Sequence, residues 1–319
     1  MRMMLSGAGM LLTVFVLVPV PSLAQSPDEP VAPQLESTST AATGDGGRWH
    51  LDLALSNLFD GNINHDPAPV RSYGIVPAAG IRYESSKDPG FAWGYEIASN
   101  TFSGTDQWDR ISHGLYSSVD QRLGSRMRIE AVASATWKGS SEDRELSNEY
   151  GVSGRMTIRM LERTRLSAGG GYRYKEYPDD PDTNGPSPFA VLKVDQKLGG
   201  DRRISFGYKY QTRQSHAVRD RYRRGAYTVS FATPIAPRGG RFEVGVELRS
   251  QMYDRLIKIG SVRALRHDSR IALDANYRRP LNRRADVIWF AGFEARDSND
   301  EEKRYTAPAF GMTMVYHWR

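Results

Sequence analysis

The stretch Arg241-Phe-Glu-Val-Gly-Val-Glu-Leu-Arg-Ser-Gln251 puts Phe242, Val244, Val246 and Leu248 on one parity and Glu243, Gly245, Glu247, Arg249 and Gln251 on the other. Successive side chains of a strand point to opposite faces, so the stretch is predicted as a strand with one oily and one polar side. The same alternation recurs outward in both directions. Ile271, Leu273, Ala275 and Tyr277 oppose Asp268, Arg270, Asp274, Asn276 and Arg278, and Val287, Trp289, Ala291 and Phe293 oppose Asp286, Glu294 and Arg296. Fourteen such segments are predicted, near 48–58, 76–86, 90–103, 110–123, 127–139, 148–161, 164–177, 187–199, 202–214, 223–236, 240–253, 266–281, 284–297 and 305–319. They are two to three times the usual strand length of about 5–6 residues, and no helical period competes with them.

The connections alternate as well. Short ones (86–89, 124–126, 161–163, 199–201, 237–239 and 282–283) take turns with long polar ones near 59–75, 104–109, 140–147, 178–186, 215–222, 254–265 and 298–304. Long amphipathic strands, even in number, with short turns at one end and long loops at the other, mark a bacterial outer-membrane β-barrel. The fold expected is therefore all-β: a transmembrane, antiparallel, up-and-down barrel of about 14 strands with short periplasmic turns and longer extracellular loops. A secreted β-sandwich would show the same alternation. Aromatics near the ends of the oily faces (Trp49, Phe91, Trp93, Trp137, Tyr172, Tyr174, Tyr208, Tyr210, Tyr316, Trp318) favour the barrel, because interfacial girdles need them there.

Composition agrees once the two faces are separated. The mean hydropathy of −0.55 averages an oily and a polar side. No Cys is present, which excludes disulfide scaffolds, zinc–thiolate sites and thiol nucleophiles. The net charge of +6 is too mild to imply a nucleic-acid partner, and none is expected. Arg2, the apolar run Met10 to Val20 and the small-residue end Ser22-Leu23-Ala24 read as a cleaved export signal over 1–24. Residues 25–47, rich in Ser, Thr, Pro and Ala, read as a disordered periplasmic lead-in, and 48–319 as the barrel.

The chain ends with Phe310, Met312, Met314, Tyr316 and Trp318 on one face. This resembles the C-terminal strand of bacterial outer-membrane proteins. The resemblance implies that Phe310, Met314, Tyr316 and Trp318 signal to the barrel assembly machinery. A second resemblance lies in the last fifty or so residues. Arg266-x-Asp268, Tyr277-Arg-Arg-Pro-Leu281, Asp297-Ser-Asn-Asp300 and Tyr305 look like the closing strands of the barrel in surface lipoprotein assembly modifiers. Those proteins carry helical repeats ahead of the barrel and help deliver lipoproteins to the cell surface, so the resemblance implies an export or assembly role.

If the oily positions face lipid, the opposite parity lines the interior. One predicted wall is basic: Arg128, Lys138, Arg155, Arg159, Arg165, Arg173, Lys175, Lys193, Lys197, Arg203, Lys209 and Arg213, opposed only by Glu130 and Asp195. The other is mixed and more acidic, with Asp52, Glu84, Glu96, Asp120, Glu243, Glu247, Asp268, Asp274, Asp286 and Glu294 among Arg82, Arg122, Arg249, Arg270, Arg278 and Arg296. Opposed charges across a wet lumen would set up a transverse field, and rings of Arg and Lys favour anions. The expectation is a porin-like channel for small polar or anionic solutes, oligosaccharides included. The plainer alternative is a barrel filled by charges that pair across neighbouring strands.

No enzyme, cofactor or metal site is expected. Ser112 and His113 are adjacent, but alternation points them to opposite faces. The loop Asp180-Pro-Asp182-Thr-Asn184-Gly185 begins like a calcium loop, yet Val191 stands where the closing Glu would be, and an acidic surface turn is the better reading. The run Gly169-Gly170-Gly171 follows no phosphate-binding pattern and marks a bend or tight packing.

Overall fold

The computed structural model describes residues 47–318 apart from 66, 105–108, 141–146, 179, 236–238 and 260. The expected leader and, Gly47 aside, the lead-in lie outside the described residues. Fourteen strands form one closed antiparallel barrel. They are β1 Arg48–Asp60, β2 Ser72–Glu84, β3 Gly90–Phe102, β4 Arg110–Leu123, β5 Met127–Ser140, β6 Asn148–Leu161, β7 Thr164–Glu176, β8 Gly185–Lys197, β9 Arg203–Arg213, β10 Tyr222–Ile235, β11 Gly240–Ile259, β12 Val262–Pro280, β13 Ala285–Ser298 and β14 Tyr305–Trp318. Each strand pairs with its sequence neighbours, and β14 returns to β1 in a register running from Leu51↔Trp318 to Asp60↔Ala309. Closure leaves no free edge, which is the condition for a sheet to sit in lipid.

The two faces are chemically distinct. On β1, Trp49, Leu53 and Leu55 are exposed outward while His50, Asp52, Ser56, Leu58 and Asp60 are buried inward. On β14 the outward row is Phe310, Met314, Tyr316 and Trp318, the last 53% exposed, against buried Tyr305, Ala307, Ala309, Thr313 and Val315. Large exposed hydrophobics continue around the whole outer surface on every strand, far beyond the apolar patch of a few hundred Å² that a soluble monomer shows. Such a belt needs lipid. Val229 lies mid-strand on the outer face of β10 and Ser230 beside it on the inner face. Val229→Arg is accordingly expected to cost about 2–4 kcal/mol of stability in vesicles, with Ser230→Arg costing much less. Urea unfolding followed by tryptophan fluorescence reads both, and equal costs would contradict the assignment of faces.

The structure changes one expected boundary. Residues 254–265 form no separate loop; β11 and β12 continue as a projecting hairpin whose last pair is Ile259↔Val262. A bulge between Met252 and Leu256 sets Tyr253, Asp254 and Arg255 against Arg266 alone. Bulges bend a strand and locally break its ladder, and this one turns the hairpin while keeping Leu256 and Leu265 on the exposed outer side. Leu256 and Lys258 pair with Leu265 and Arg263 on the outer face while Ile257 is buried on the inner one, which continues the strand alternation; Asp254, Arg255 and Arg266 disguise it as polar loop.

Two other long loops are stitched into one cap over β7–β10. Ala217 N–H donates to the Asp182 carbonyl at 2.6 Å and His216 N–H to the Asn184 carbonyl at 3.1 Å. Arg219 reaches Asp180 at 2.8 Å, and Thr183 Oγ1 lies within bonding distance of both Asp180 and Asp220. The oxygens of the calcium-like stretch are thus spent on these contacts; a 3₁₀ turn at Pro181–Thr183 carries them.

Candidate functional site

The lumen is the concave side of the barrel, and its two walls differ. From β10 through β14 to β2 most inward charges pair with one another and are largely buried. Glu247 takes Arg249 at 2.8 Å and Arg270 at 2.7 Å. Glu294, 0% exposed, takes Arg270 at 3.1 Å and the Tyr305 hydroxyl at 2.5 Å. Asp268 holds Arg266 at 2.7 Å, Arg296 at 3.0 Å and the Ser298 hydroxyl at 2.6 Å. At the short-turn end, His317 bridges Asp52 at 2.6 Å and Asp286 at 3.2 Å, and Asp286 also accepts from Arg278. Glu84 pairs with Arg82 at 3.0 Å and with His50.

The acidic residues Asp52, Glu84, Glu247, Asp286 and Glu294 are therefore bound sideways on their own wall. Glu243 and Asp274 share the same inward parity on β11 and β12, and Asp274 crowds Gly245. Glu96, on β3, closes over Gly114 of β4 in the same way. The unpaired acidic wall that a transverse field would need is thus largely packed with its own ion pairs.

That packed wall also holds apolar residues. Leu58, Val76, Ile288, Phe290 and Val315 form a buried inward cluster on β1, β2, β13 and β14. Alternation had assigned apolar residues to the lipid side. At Ile288 and Phe290 the chain is apolar on both parities, as expected of a strand buried on both faces.

The wall from β4 to β9 is different. Lumen-facing Arg128, Arg155, Lys193 and Lys197 are exposed, Arg155 to 65% of its side chain, and Arg159, Arg165, Arg173, Arg203 and Lys209 are half-buried. Only Lys175 and Arg213, at the long-loop end, are buried. Cross-strand register sets like charges directly opposite each other: Arg122↔Arg128, Arg159↔Arg165 and Lys197↔Arg203. Like charges in that position destabilise a sheet unless something neutralises them.

The carboxylates of this wall are few. Asp120 pairs with Arg128 at 3.0 Å, Asp195 with Lys193 at 3.2 Å, Glu149 with Arg173 at 3.7 Å and Glu130 with Arg155 at 4.0 Å. Glu149 joins the two acids read from the sequence. Among the described residues, Arg122, Arg159, Lys197 and Arg203 have no ion-pair partner.

Small residues separate the cations. Gly151, Ser153, Thr157, Ser167, Gly169, Gly171 and Gly207 share the inward parity of β6, β7 and β9. At Gly171 a methyl group would stand 2.8 Å from the Phe189 ring, so the glycine run makes room for the one inward aromatic of β8. Arg173 and Lys209 lie over that ring at 5.0 and 5.6 Å, within cation–π range.

A second group that sequence reasoning missed sits at the long-loop end, where inward arginines cover aromatic rings. Arg266 lies 4.2 Å from Tyr253, Arg224 5.1 Å from Tyr222, Arg213 5.4 Å from Tyr177 and Arg296 5.7 Å from Tyr305. Inward tyrosines on otherwise polar parities were the available signal. Of the residues that resemble surface lipoprotein assembly modifiers, Arg266, Asp268 and Tyr305 are parts of the buried network at this end, while Tyr277 to Leu281 lie at the short-turn end, where Arg278 bonds Asp286.

On the lipid side, Ser250 Oγ of β11 lies 3.1 Å from His267 Nε2 of the adjacent β12, 17 residues apart in sequence. No carboxylate among the described residues pairs with this His, so a nucleophile–base–acid relay is not assembled there. Ser112 and His113 point to opposite faces, His113 meeting the Tyr95 hydroxyl at 2.7 Å and Ser112 Oγ approaching the Ala98 carbonyl at 3.5 Å.

A closed 14-strand up-and-down barrel with a lipid-facing apolar belt and a charged interior defines the class of transmembrane β-barrels. No protein-family model and no curated protein matches the sequence. Among solved structures the chain is similar to a bacterial polysaccharide outer-membrane secretin, with 10% identity and a TM-score of 0.53 over 84% of this chain and 98% of that one. It is also similar to the outer-membrane channel DcaP of Acinetobacter baumannii, with 9% identity and a TM-score of 0.52 over 85% of this chain and 97% of that one. At such identities the likeness is one of fold: the chain has the architecture of bacterial outer-membrane β-barrel proteins.

Proposed function

We propose that the barrel resides in the bacterial outer membrane and acts as a porin-like channel for small polar or anionic solutes. The observation that carries this reading is the inequality of the walls. Most acids on β10–β2 are engaged in buried ion pairs, while on β4–β9 Arg128, Arg155, Lys193 and Lys197 stand exposed and Arg122, Arg159 and Arg203 have no ion-pair partner among the described residues. A purely structural filling would pair both walls alike. The leader 1–24 would deliver the chain across the inner membrane, and Phe310, Met314, Tyr316 and Trp318 would present the outward row that the barrel assembly machinery reads. In this reading the barrel is no enzyme and needs no cofactor.

Swelling of vesicles that hold the purified barrel tests the idea. Influx of gluconate is expected to outpace influx of a similarly sized cationic amino sugar. Vesicles that swell in neither solute would refute a channel.

A further inference from the structure

We infer that β6–β9 form a conduction track for linear acidic oligosaccharides, glycans with one carboxylate per sugar unit; this rests on the channel reading above. The track is continuous from one end of the lumen to the other. Starting at the short-turn end, one cross-strand row carries Arg159 and Arg165, the next Lys193, and the next Arg155 and Lys209; two rows further on comes Arg173. Successive inward positions on a strand lie about 6.6 Å apart, a step comparable to one sugar in an extended chain. Over the first three rows a carboxylate released by one cation therefore finds another within about a unit's length, and Arg173 follows about two units further on. Translocation needs such a series of sites, each favourable enough to enter and weak enough to leave.

Two features of the wall select the glycan within the class of polyanions. Along β6 and β9 uncharged inward residues separate the cations (Thr157 between Arg155 and Arg159, Ser205 and Gly207 between Arg203 and Lys209), which suits isolated carboxylates. Among them lie hydroxyls at Ser153, Thr157 and Ser167 that can bond to sugar hydroxyls. Single-stranded nucleic acid, by contrast, is held by aromatic faces on which bases stack. The one inward aromatic of these strands is Phe189, and its ring already carries Arg173 and Lys209. That arrangement props the two cations rather than offering a platform.

Planar-bilayer recordings of the full barrel test this with a defined probe, hexagalacturonate, alongside galacturonate monomer, maltohexaose and a short single-stranded DNA. The hexamer is expected to give resolved current blockades at concentrations roughly tenfold below the monomer, since linked charges engage successive sites together. Maltohexaose should block only weakly. Arg155→Gln combined with Arg173→Gln should raise the blocking concentration of the hexamer roughly tenfold, with folding verified by heat-modifiable migration on gels. A conducting barrel that hexamer and monomer block equally overturns the track and leaves the channel standing. Equal block by the DNA overturns its assignment to glycans. A barrel that never conducts overturns both readings.

Discussion

Replacing Arg155, Arg159 and Arg173 together with Gln is expected to lower the anion-to-cation permeability ratio by roughly threefold or more, because cation rings set selectivity through the local potential. These three sit on adjacent strands, β6 and β7, of the exposed wall. Two have only loose partners, Glu149 at 3.7 Å and Glu130 at 4.0 Å, and Arg159 faces Arg165 directly. Removing them leaves those carboxylates facing water, so the wall loses positive charge and uncovers negative charge at once. The effect should shrink as ionic strength rises, since at about 1 M salt the screening length falls to about 3 Å. Reversal potentials across a salt gradient measure the ratio. An unchanged ratio would show that ions pass elsewhere.

The largest stability effect is expected on the opposite wall. Glu294 is fully buried and accepts from Arg270 and Tyr305. Glu294→Ala takes one of its carboxylate partners from the buried Arg270, and breaking one side of a buried pair costs about 3–5 kcal/mol. Urea unfolding in phospholipid vesicles reads the loss. Glu294→Leu combined with Arg270→Met should recover much of it, because exchanging both partners for apolar side chains removes the uncompensated charge. A cost of Glu294→Ala under about 1 kcal/mol would be that of a solvated surface pair, and would mean that water reaches this wall freely.

The strand pattern is legible because lipid favours apolar groups on the outer parity. Leu53, Val244, Ile271 and Phe310 follow that demand, and the period-two signal recurs through the fourteen strands. The inner parity has no such constraint. Where it lines water it is polar, and where it packs it takes Leu58, Ile288, Phe290 and Val315, which no alternation rule anticipates. Inward tyrosines such as Tyr253 and Tyr305 escaped for the same reason, since their arginine partners Arg266 and Arg296 lie on neighbouring strands. The Ser250–His267 contact is equally a product of register, which sequence spacing does not contain.

Inward orientation of the cations followed from alternation alone, but their environment did not. Arg155 and Arg270 carry the same parity signal, yet one is exposed to the lumen and the other locked between Glu247 and Glu294. The difference lies in which acids fall on adjacent strands. Glu247, Asp268, Asp286 and Glu294 cluster on β11–β13, whereas β6–β9 contribute only Glu149 and Asp195 inward. Charge counting along the chain shows the imbalance; only the closed register shows that one wall neutralises itself.

The central claim is that this barrel is an open, anion-preferring channel. The purified protein in a planar bilayer, under a tenfold gradient of potassium chloride, tests it most directly. The account predicts discrete conductance steps and a reversal potential on the chloride side of zero. Silence, or a reversal potential on the potassium side, would contradict it.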